Sequence, residues 1–480
     1  MNYIGGKWLT NASTGRTFKS INPADKDEVL GEFPLSGKED VELAVASAKK
    51  AQKDWRKIPA PERGKILFNI AKLMEKEKEK LAETITKEMG KTLKESLGEV
   101  QISIDMVYYS AGEGRRLIGE TVPSEKRDKY IIYLREPVGV AGIITPWNFP
   151  LLLPVRKIMP ALIAGNTVIF KPSRETPLVA QQFVKLLEDA GLPPGVLNLV
   201  QGSGESVGLE IVKHPDVGVV SFTGSVETGR RIGSICGEQI KKVGLELGGK
   251  NPVIVLEDAD LESALDGCVS GAYGATGQKC TAASRIIVEE RIYDKFVDMF
   301  LEKVKKIRVG DGMDKDTDMG PLVSESQLNR VRYYVDLGIK EGARLEYGGN
   351  VLSGDKFSKG FFFEPTVFID VTPEMKIAKE EIFGPVVCIM KAKDFDDAIE
   401  IANSTEYGLS ASIYTKDLKK SFKAMELLES GVVYINAPPT GAEINGPFGG
   451  IKSSGNGERE QGTTAIDLFT EWKTVFIVLG

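Results

Sequence analysis

Val138-Gly139-Val140-Ala141-Gly142-Ile143-Ile144 reads as a strand without polar alternation, and it runs directly into the proline-bounded turn Thr145-Pro146-Trp147-Asn148-Phe149-Pro150. A strand that is apolar on both faces belongs inside a sheet covered on both sides. The pattern repeats in both directions from here. Asn166-Thr167-Val168-Ile169-Phe170 is a second such strand, ending at Lys171-Pro172-Ser173, and residues 176–190 read as the helix that follows it. Residues 196–201 and 217–222 supply two more strands. Apolar strands separated by helical segments predict an α/β fold built on a parallel sheet.

The alternation restarts at Pro252, with strands at 253–256 and 284–288 and helices at 261–275 and 292–306. A second α/β domain is therefore expected from about residue 250 to residue 430, after which Gly431-Val432-Val433-Tyr434-Ile435-Asn436 is expected to return to the first domain. Upstream, residues 4–33 hold short alternating runs that read as surface strands and turns. Helices are predicted from Lys38 and Pro61 and over 93–113, with acids in the first turn of the one at Lys38. The charged run Glu75-Lys76-Glu77-Lys78-Glu79-Lys80 reads as a solvated helix face. Residues 129–137 form a strand after a polar segment, which suggests a protruding hairpin. The apolar run 465–478 reads as strand-rich and needs a pairing partner, because an exposed apolar edge invites aggregation.

Composition bounds what such a chain does. Its 480 residues exceed one core of usual size, so more than one domain is expected. A net charge of -6 argues against a nucleic-acid partner. Cys236, Cys268, Cys280 and Cys388 are scattered, without metal-binding spacing, which suggests reduced thiols. No basic start precedes an apolar run, and no stretch reaches membrane-spanning length, so a cytoplasmic protein without a membrane partner is expected. The lone histidine, His214, reads as a turn residue. With one histidine a multi-histidine zinc site is excluded and a Ser-His-Asp triad is improbable, so no metal is expected.

Cys280, in Gly277-Gln278-Lys279-Cys280-Thr281-Ala282, is then the candidate nucleophile; the alternative is a buried structural thiol. Glu246, in Glu246-Leu247-Gly248-Gly249-Lys250, offers a carboxylate and Asn148 a side-chain amide. Thiol, carboxylate and amide are the parts that acyl chemistry at a carbonyl carbon needs. Two glycine-bearing stretches bear on a dinucleotide. Gly202-Ser203-Gly204-Glu205-Ser206-Val207-Gly208 departs from the usual dinucleotide spacing. Phe222-Thr223-Gly224-Ser225 lies between a strand and a helix, where a pyrophosphate could approach backbone N–H groups or where the turn is simply a helix cap. Lys171 ends its strand where open parallel sheets bind ligands.

These motifs, with Lys379-Glu380-Glu381-Ile382-Phe383-Gly384-Pro385 and Pro447-Phe448-Gly449-Gly450, occur in an order that resembles the NAD(P)-dependent aldehyde dehydrogenase superfamily over essentially the whole chain. The resemblance implies a Rossmann-like cofactor domain (1–114, 137–249, 431–463), an α/β catalytic domain (250–430) and a small β oligomerisation element (115–136, 464–480). It implies that Cys280 attacks the aldehyde, that Asn148 and the Cys280 N–H stabilise the oxyanion, and that Glu246 is the general base. Cofactor contacts are implied for Ile144, Thr145, Pro146, Trp147, Lys171, Ser173, Arg174, Gly204, Gly208, Phe222, Thr223, Gly224, Ser225, Leu247, Gly248, Glu381 and Phe383, and substrate contacts for Phe149, Arg156 and Phe448. A homo-oligomer, dimer or tetramer, is the assembly implied, with the C-terminal strand pairing across subunits.

Two positions depart from the commonest pattern. Many NAD-preferring members carry glutamate directly after Lys-Pro-Ser, and here Arg174 stands there, with the only nearby acid one step on at Glu175, which favours NADP with dual use of NADP and NAD as the alternative. Arg156 falls on the expected substrate-lining helix, where a guanidinium is expensive unless an anion meets it. That suits a semialdehyde with a distal carboxylate, and the motifs look closest to the 2-oxoglutarate semialdehyde (2,5-dioxopentanoate) group. The alternative is that Arg156 pairs with an acid of the protein. Oxidation of succinic semialdehyde, glyceraldehyde or lactaldehyde, a broad-specificity NAD-dependent enzyme, acyl transfer to coenzyme A, and a non-catalytic structural relative are the competing readings.

Overall fold

The computed structural model of the chain describes residues 1–354 and 356–479. Its first sheet has the order Lys242–Glu246, Val219–Thr223, Val140–Ile144, Thr167–Lys171, Leu197–Leu199, Asn2–Ile4, Lys7–Leu9. The first five strands are parallel, and their side chains are almost all buried, as the unbroken apolar runs require. From Val140–Ile144 the chain builds outward first on one side, through Thr167–Lys171, and later on the other, through Val219–Thr223. That reversal opens a crevice at the carboxyl ends of Val140–Ile144 and Val219–Thr223, the place where open α/β sheets take ligands.

Two expectations for this half need correcting. The N-terminal stretch is more than surface decoration: Asn2–Ile4 pairs antiparallel with Leu197–Leu199, and Tyr3 and Ile4 are buried. It covers a parallel strand whose edge would otherwise lie open. The charged run does not form one helix face, because the helix Ala60–Lys76 stops at Glu77 and Lys78–Met89 begins anew.

The second sheet has the order Arg344–Tyr347, Thr366–Ile369, Val386–Ala392, Ala283–Glu289, Asn251–Val255, Ser410–Tyr414, Val432–Ile435, parallel except for its first strand. Val432–Ile435 thus pairs with Ser410–Tyr414 in the second sheet rather than returning to the first domain at residue 431. Its Val-Val-Tyr-Ile run satisfies a parallel edge next to it in space, and the crossing back comes later. Leu247 donates its N–H to Ser454 O at 2.9 Å, and Glu246 bridges to Gly455.

A third sheet pairs Thr470–Val478 with Lys129–Pro137 and that strand with Glu120–Val122, all antiparallel. The apolar run preceding it is not strand. Thr463–Phe469 is a 3-10 turn whose Ala465, Ile466, Leu468 and Phe469 are buried against the first domain, which explains their hydrophobicity. Tyr130, Leu134, Phe476 and Val478 of the third sheet are exposed in the single chain.

Candidate active site

Helix Leu261–Tyr273 breaks at Gly274, and three residues in a row, Ala275 (φ 51°), Thr276 (φ 59°) and Gly277 (φ 68°), take the left-handed conformation before Gln278-Lys279-Cys280. Such backbone is uncommon for alanine and more so for a β-branched threonine, and it persists only where surroundings hold it. Here they do. The Ala275 N–H donates to the Glu95 carboxylate at 2.6 Å and the Thr276 hydroxyl to Gly320 O at 3.0 Å. The Gln278 side chain accepts the Val323 N–H at 3.0 Å. A Cβ on Gly277 would stand 2.1 Å from Gly384 O, so this position admits only glycine. Downstream, the Asn251 amide donates to Cys280 O at 2.8 Å and Ala282 O at 2.9 Å. Of the four free cysteines three are buried, and Cys280 alone is partly open.

Cys280 stands between two cavities. One, of about 290 Å³, is walled by Phe149, Arg156, Tyr434 and Phe448 among others. The other, of about 220 Å³, is walled by Trp147, Asn148, Gly224, Leu247, Glu381 and Phe383 among others. Both include the thiol. Helix Leu152–Ala164 carries Arg156 to the first cavity with its guanidinium 4.6 Å from the centre of the Phe448 ring. The Arg156 Nε is buried with no hydrogen-bond partner among the described residues.

Burial pushes the Cys280 thiol up to about 12, against the pull of the Arg156 charge; the Glu381 and Glu246 charges add to the rise. Glu246 is buried, and neither carboxylate oxygen has a hydrogen-bond partner among the described residues. Burial first, and then the charge of Glu460, raise it well above the ordinary carboxylate range, while Lys157 and Arg156 pull it back. Lys157 and Glu460 form a buried ion pair beside it, and the same ammonium donates to Ser221 Oγ at 3.1 Å. A carboxyl left unpartnered and raised toward neutrality is suited to taking and returning a proton.

The second cavity opens on the crevice of the first sheet. Thr145 and Thr223 end adjacent strands there, and both hydroxyls are buried without a partner among the described residues. Ser225 caps helix Val226–Glu238, accepting the Thr228 N–H at 3.3 Å, and keeps its N-terminus at the turn. Trp147 and Phe383 meet edge to face at 5.4 Å. The Glu381 carboxylate accepts the Gly249 N–H at 3.0 Å and is raised by burial; a Cβ on Gly248 would lie 2.6 Å from it. Unpartnered hydroxyls, bare glycines, a helix N-terminus and an aromatic pair fit a dinucleotide carrying ribose, phosphate and a flat ring.

Lys171 lies deeper, its ammonium donating to Pro172 O at 2.8 Å and lowered to about 8 by burial and the nearby Arg174. Arg174 is exposed, and Ser173 Oγ accepts the Glu175 N–H at 3.3 Å. Gly204–Gly208 form one π-helical turn capped by Ser203. A Cβ on Gly208 would lie 3.6 Å from the Lys171 side chain, so this turn sits by Lys171 and away from the thiol. Phe222 folds its ring over Gly224, and Ile144 is buried beneath Gly208. His214 accepts the Asp216 N–H at 3.1 Å and faces Glu42 at 3.0 Å, a turn residue as expected.

Several residues were not singled out by sequence. Lys157 and Glu460 flank Glu246, and Gln327 and Arg330 hold the backbone of 381–383, with Gln327 Nε2 donating to Phe383 O at 2.6 Å. Lys91, Glu95 and Glu99 line the first cavity. Only Lys157 left a trace, as a second cation in the otherwise apolar run 151–164.

The pattern of the aldehyde dehydrogenase family matches residues 8–475. An α-ketoglutaric semialdehyde dehydrogenase of Bacillus subtilis is 44% identical over 99% of this chain and 98% of its own length. A 2,5-dioxopentanoate dehydrogenase of Saccharolobus solfataricus is 43% identical over 98% of each. The crystal structure of betaine aldehyde dehydrogenase from Staphylococcus aureus in complex with NAD+ superposes with a TM-score of 0.97 at 38% identity, covering 99% of this chain and 94% of that one. Sequence, fold and a thiol set between two cavities converge: the chain belongs to the aldehyde dehydrogenase family, as an NAD(P)-dependent enzyme that oxidises an aldehyde to a carboxylic acid.

Proposed function

We propose that the substrate is a carboxylate-bearing semialdehyde, 2-oxoglutarate semialdehyde, with NADP favoured over NAD and succinic semialdehyde the nearest alternative. The observation that carries this reading is Arg156. It is buried in the cavity at Cys280, its Nε lacks a partner, and no carboxylate among the described residues forms an ion pair with it. A buried guanidinium without a protein counterion is costly, and a substrate carboxylate supplies the missing charge. Both curated relatives above are named for this substrate. The coenzyme preference rests on Arg174, exposed beside Lys171, where a 2′-phosphate would find two cations; the neighbouring Glu175 carboxyl is raised by burial.

In the mechanism, the Cys280 thiol releases its proton to solvent, the thiolate adds to the aldehyde carbon, and the oxyanion is met by the Asn148 side-chain amide and the Cys280 backbone N–H. A bound nicotinamide coenzyme would supply the hydride acceptor for this carbon. Glu246 then removes a proton from the water that hydrolyses the Cys280 thioester, and Lys157 with Glu460 carries charge next to it. Glu381 and Lys171 would hold ribose hydroxyls of the coenzyme, and Phe383 and Trp147 would hold its ring. Thr145, Thr223, Gly224 and Ser225 would hold its phosphates.

The exposed apolar faces of Lys129–Pro137 and Thr470–Val478 support a homo-oligomer, dimer or tetramer, closed through this sheet. The four free thiols fit a reducing compartment such as the cytoplasm. The deciding experiment is a kcat/KM matrix pairing NAD and NADP with 2-oxoglutarate semialdehyde, succinic semialdehyde and an uncharged aldehyde of similar length. Preference for the carboxylated substrates with NADP is expected; preference for the uncharged aldehyde with NAD overturns both specificity assignments.

A further inference from the structure

We propose that Glu95 and Glu99, one helical turn apart at the start of Leu93–Glu113, are positioning residues that together set the Cys280 thiol against the Asn148 amide. The inference rests on the roles given above to those two groups. Residues at i and i+4 share a helix face, and here that face looks into the substrate cavity.

Glu95 works on the second domain. One oxygen takes the Thr92 N–H at 3.0 Å and caps its own helix; the other takes the Ala275 N–H at 2.6 Å. Ala275 opens the left-handed run that leads to Cys280. Glu99 works on the first domain. Its Oε1 accepts the N–H groups of Leu151 and Leu152 at 2.9 and 3.0 Å, at the start of the helix that carries Arg156. Its Oε2 accepts the Lys91 ammonium at 2.8 Å. That ammonium also donates to Asn148 O at 2.7 Å and lies 4.0 Å from the centre of the Phe149 ring.

Except for Lys91, every group these carboxylates reach beyond their own cap is backbone, so they fix the path of the chain on either side of the reacting carbon. Lys91 and Glu99 have fully buried side chains. Charge balance alone asks only that they meet each other; the third contact, to the carbonyl of Asn148, ties the pair to the oxyanion donor. One rigid helix thereby spans the two domains at the site where their loops must register. An error of about 1 Å in such a registration costs about 100-fold in rate.

The test uses the full-length enzyme with NADP and a semialdehyde. The first turnover of reduced coenzyme is followed by stopped flow, and Cys280 alkylation by iodoacetamide is measured without substrate. The double variant Lys91→Met/Glu99→Gln leaves no lone buried charge. It is expected to slow the first turnover about 10- to 100-fold, with KM, NADP affinity and the alkylation rate within about threefold of wild type, a tolerance well below that loss. Glu95→Ala is expected to slow both alkylation and first turnover about tenfold or more. Glu95→Gln, whose amide oxygen still accepts from Ala275, is expected to restore them. Wild-type first-turnover rates in the double variant and in Glu95→Ala overturn the proposal. So does an equal loss in Glu95→Ala and Glu95→Gln, or a fall in rate matched by weakened NADP binding and a raised KM. A wild-type enzyme unable to oxidise any aldehyde would instead overturn the roles of Cys280 and Asn148.

Discussion

The guanidinium of Arg156 rests 4.6 Å from the centre of the Phe448 ring, and both line the cavity into which the Cys280 thiol opens. The ring carries the charge on its face without neutralising it, which leaves the in-plane N–H groups for a carboxylate.

Replacing Arg156 by leucine is therefore expected to raise KM for carboxylated semialdehydes about 10- to 100-fold, the worth of about 1.5–3 kcal/mol for a charged hydrogen bond. An uncharged aldehyde of the same length should change little. Steady-state kinetics with the two substrates side by side check this, and an equal effect on both removes Arg156 from substrate recognition.

Alkylation of Cys280 in the coenzyme-free enzyme should climb about tenfold per pH unit from pH 7 to 9 without a plateau, because only the thiolate reacts and burial holds the thiol at about 12. The raised value means the charged form is the disfavoured one below that pH. Arg156→Leu, which removes a cation that favours the thiolate, should slow alkylation further at each pH. A plateau near pH 8 would show that something else ionises the thiol.

Glu246→Gln is expected to keep the first burst of reduced coenzyme while lowering the steady-state rate about 100-fold or more, the usual worth of a general base. Mass spectrometry of the quenched enzyme should then find the acyl group on Cys280. A burst lost together with turnover would place Glu246 earlier in the reaction.

Lys157→Met strips the cation from two neighbouring carboxyl groups, Glu246 and Glu460. Breaking a buried pair destabilises by roughly 3–5 kcal/mol, readable as a lower urea midpoint. Because Lys157 pulls the Glu246 pKa down, its loss should also move the basic form of Glu246, and with it the turnover limb, to higher pH.

Arg174→Glu should shift the NADP-to-NAD ratio of kcat/KM toward NAD by about tenfold or more, since one charged contact of about 1.5–3 kcal/mol is exchanged for repulsion. The side chain is exposed, so thermal stability should hold. An unchanged ratio would take Arg174 out of coenzyme selection.

How legible was all this in the sequence? Fully buried strands such as Val140–Ile144 announce themselves because no polar residue interrupts them, and the thiol, carboxylate and amide stood out as residue types with a shared chemistry. Edges were harder. Val432–Ile435 is apolar whichever sheet it joins, so its partner is a fact of three-dimensional proximity that local pattern does not encode. Thr463–Phe469 is apolar because it covers a core, and hydrophobicity alone does not separate that from a strand. Glu99 was invisible for the opposite reason: a glutamate in a long amphipathic helix reads as surface, and only the fold reveals that the helix start is buried against Lys91.

Cys280 is the one lining residue, among those described, that the two cavities hold in common. With the substrate proposed for one chamber and the coenzyme for the other, fuel and electron carrier would come through separate doors and meet at a single atom. On the reading proposed above, a lineage could inherit its redox partner intact and change its diet by altering a handful of side chains around Arg156. Outside the Lys91–Asn148 contact that joins them, the two chambers then offer an engineer separate handles on one catalyst.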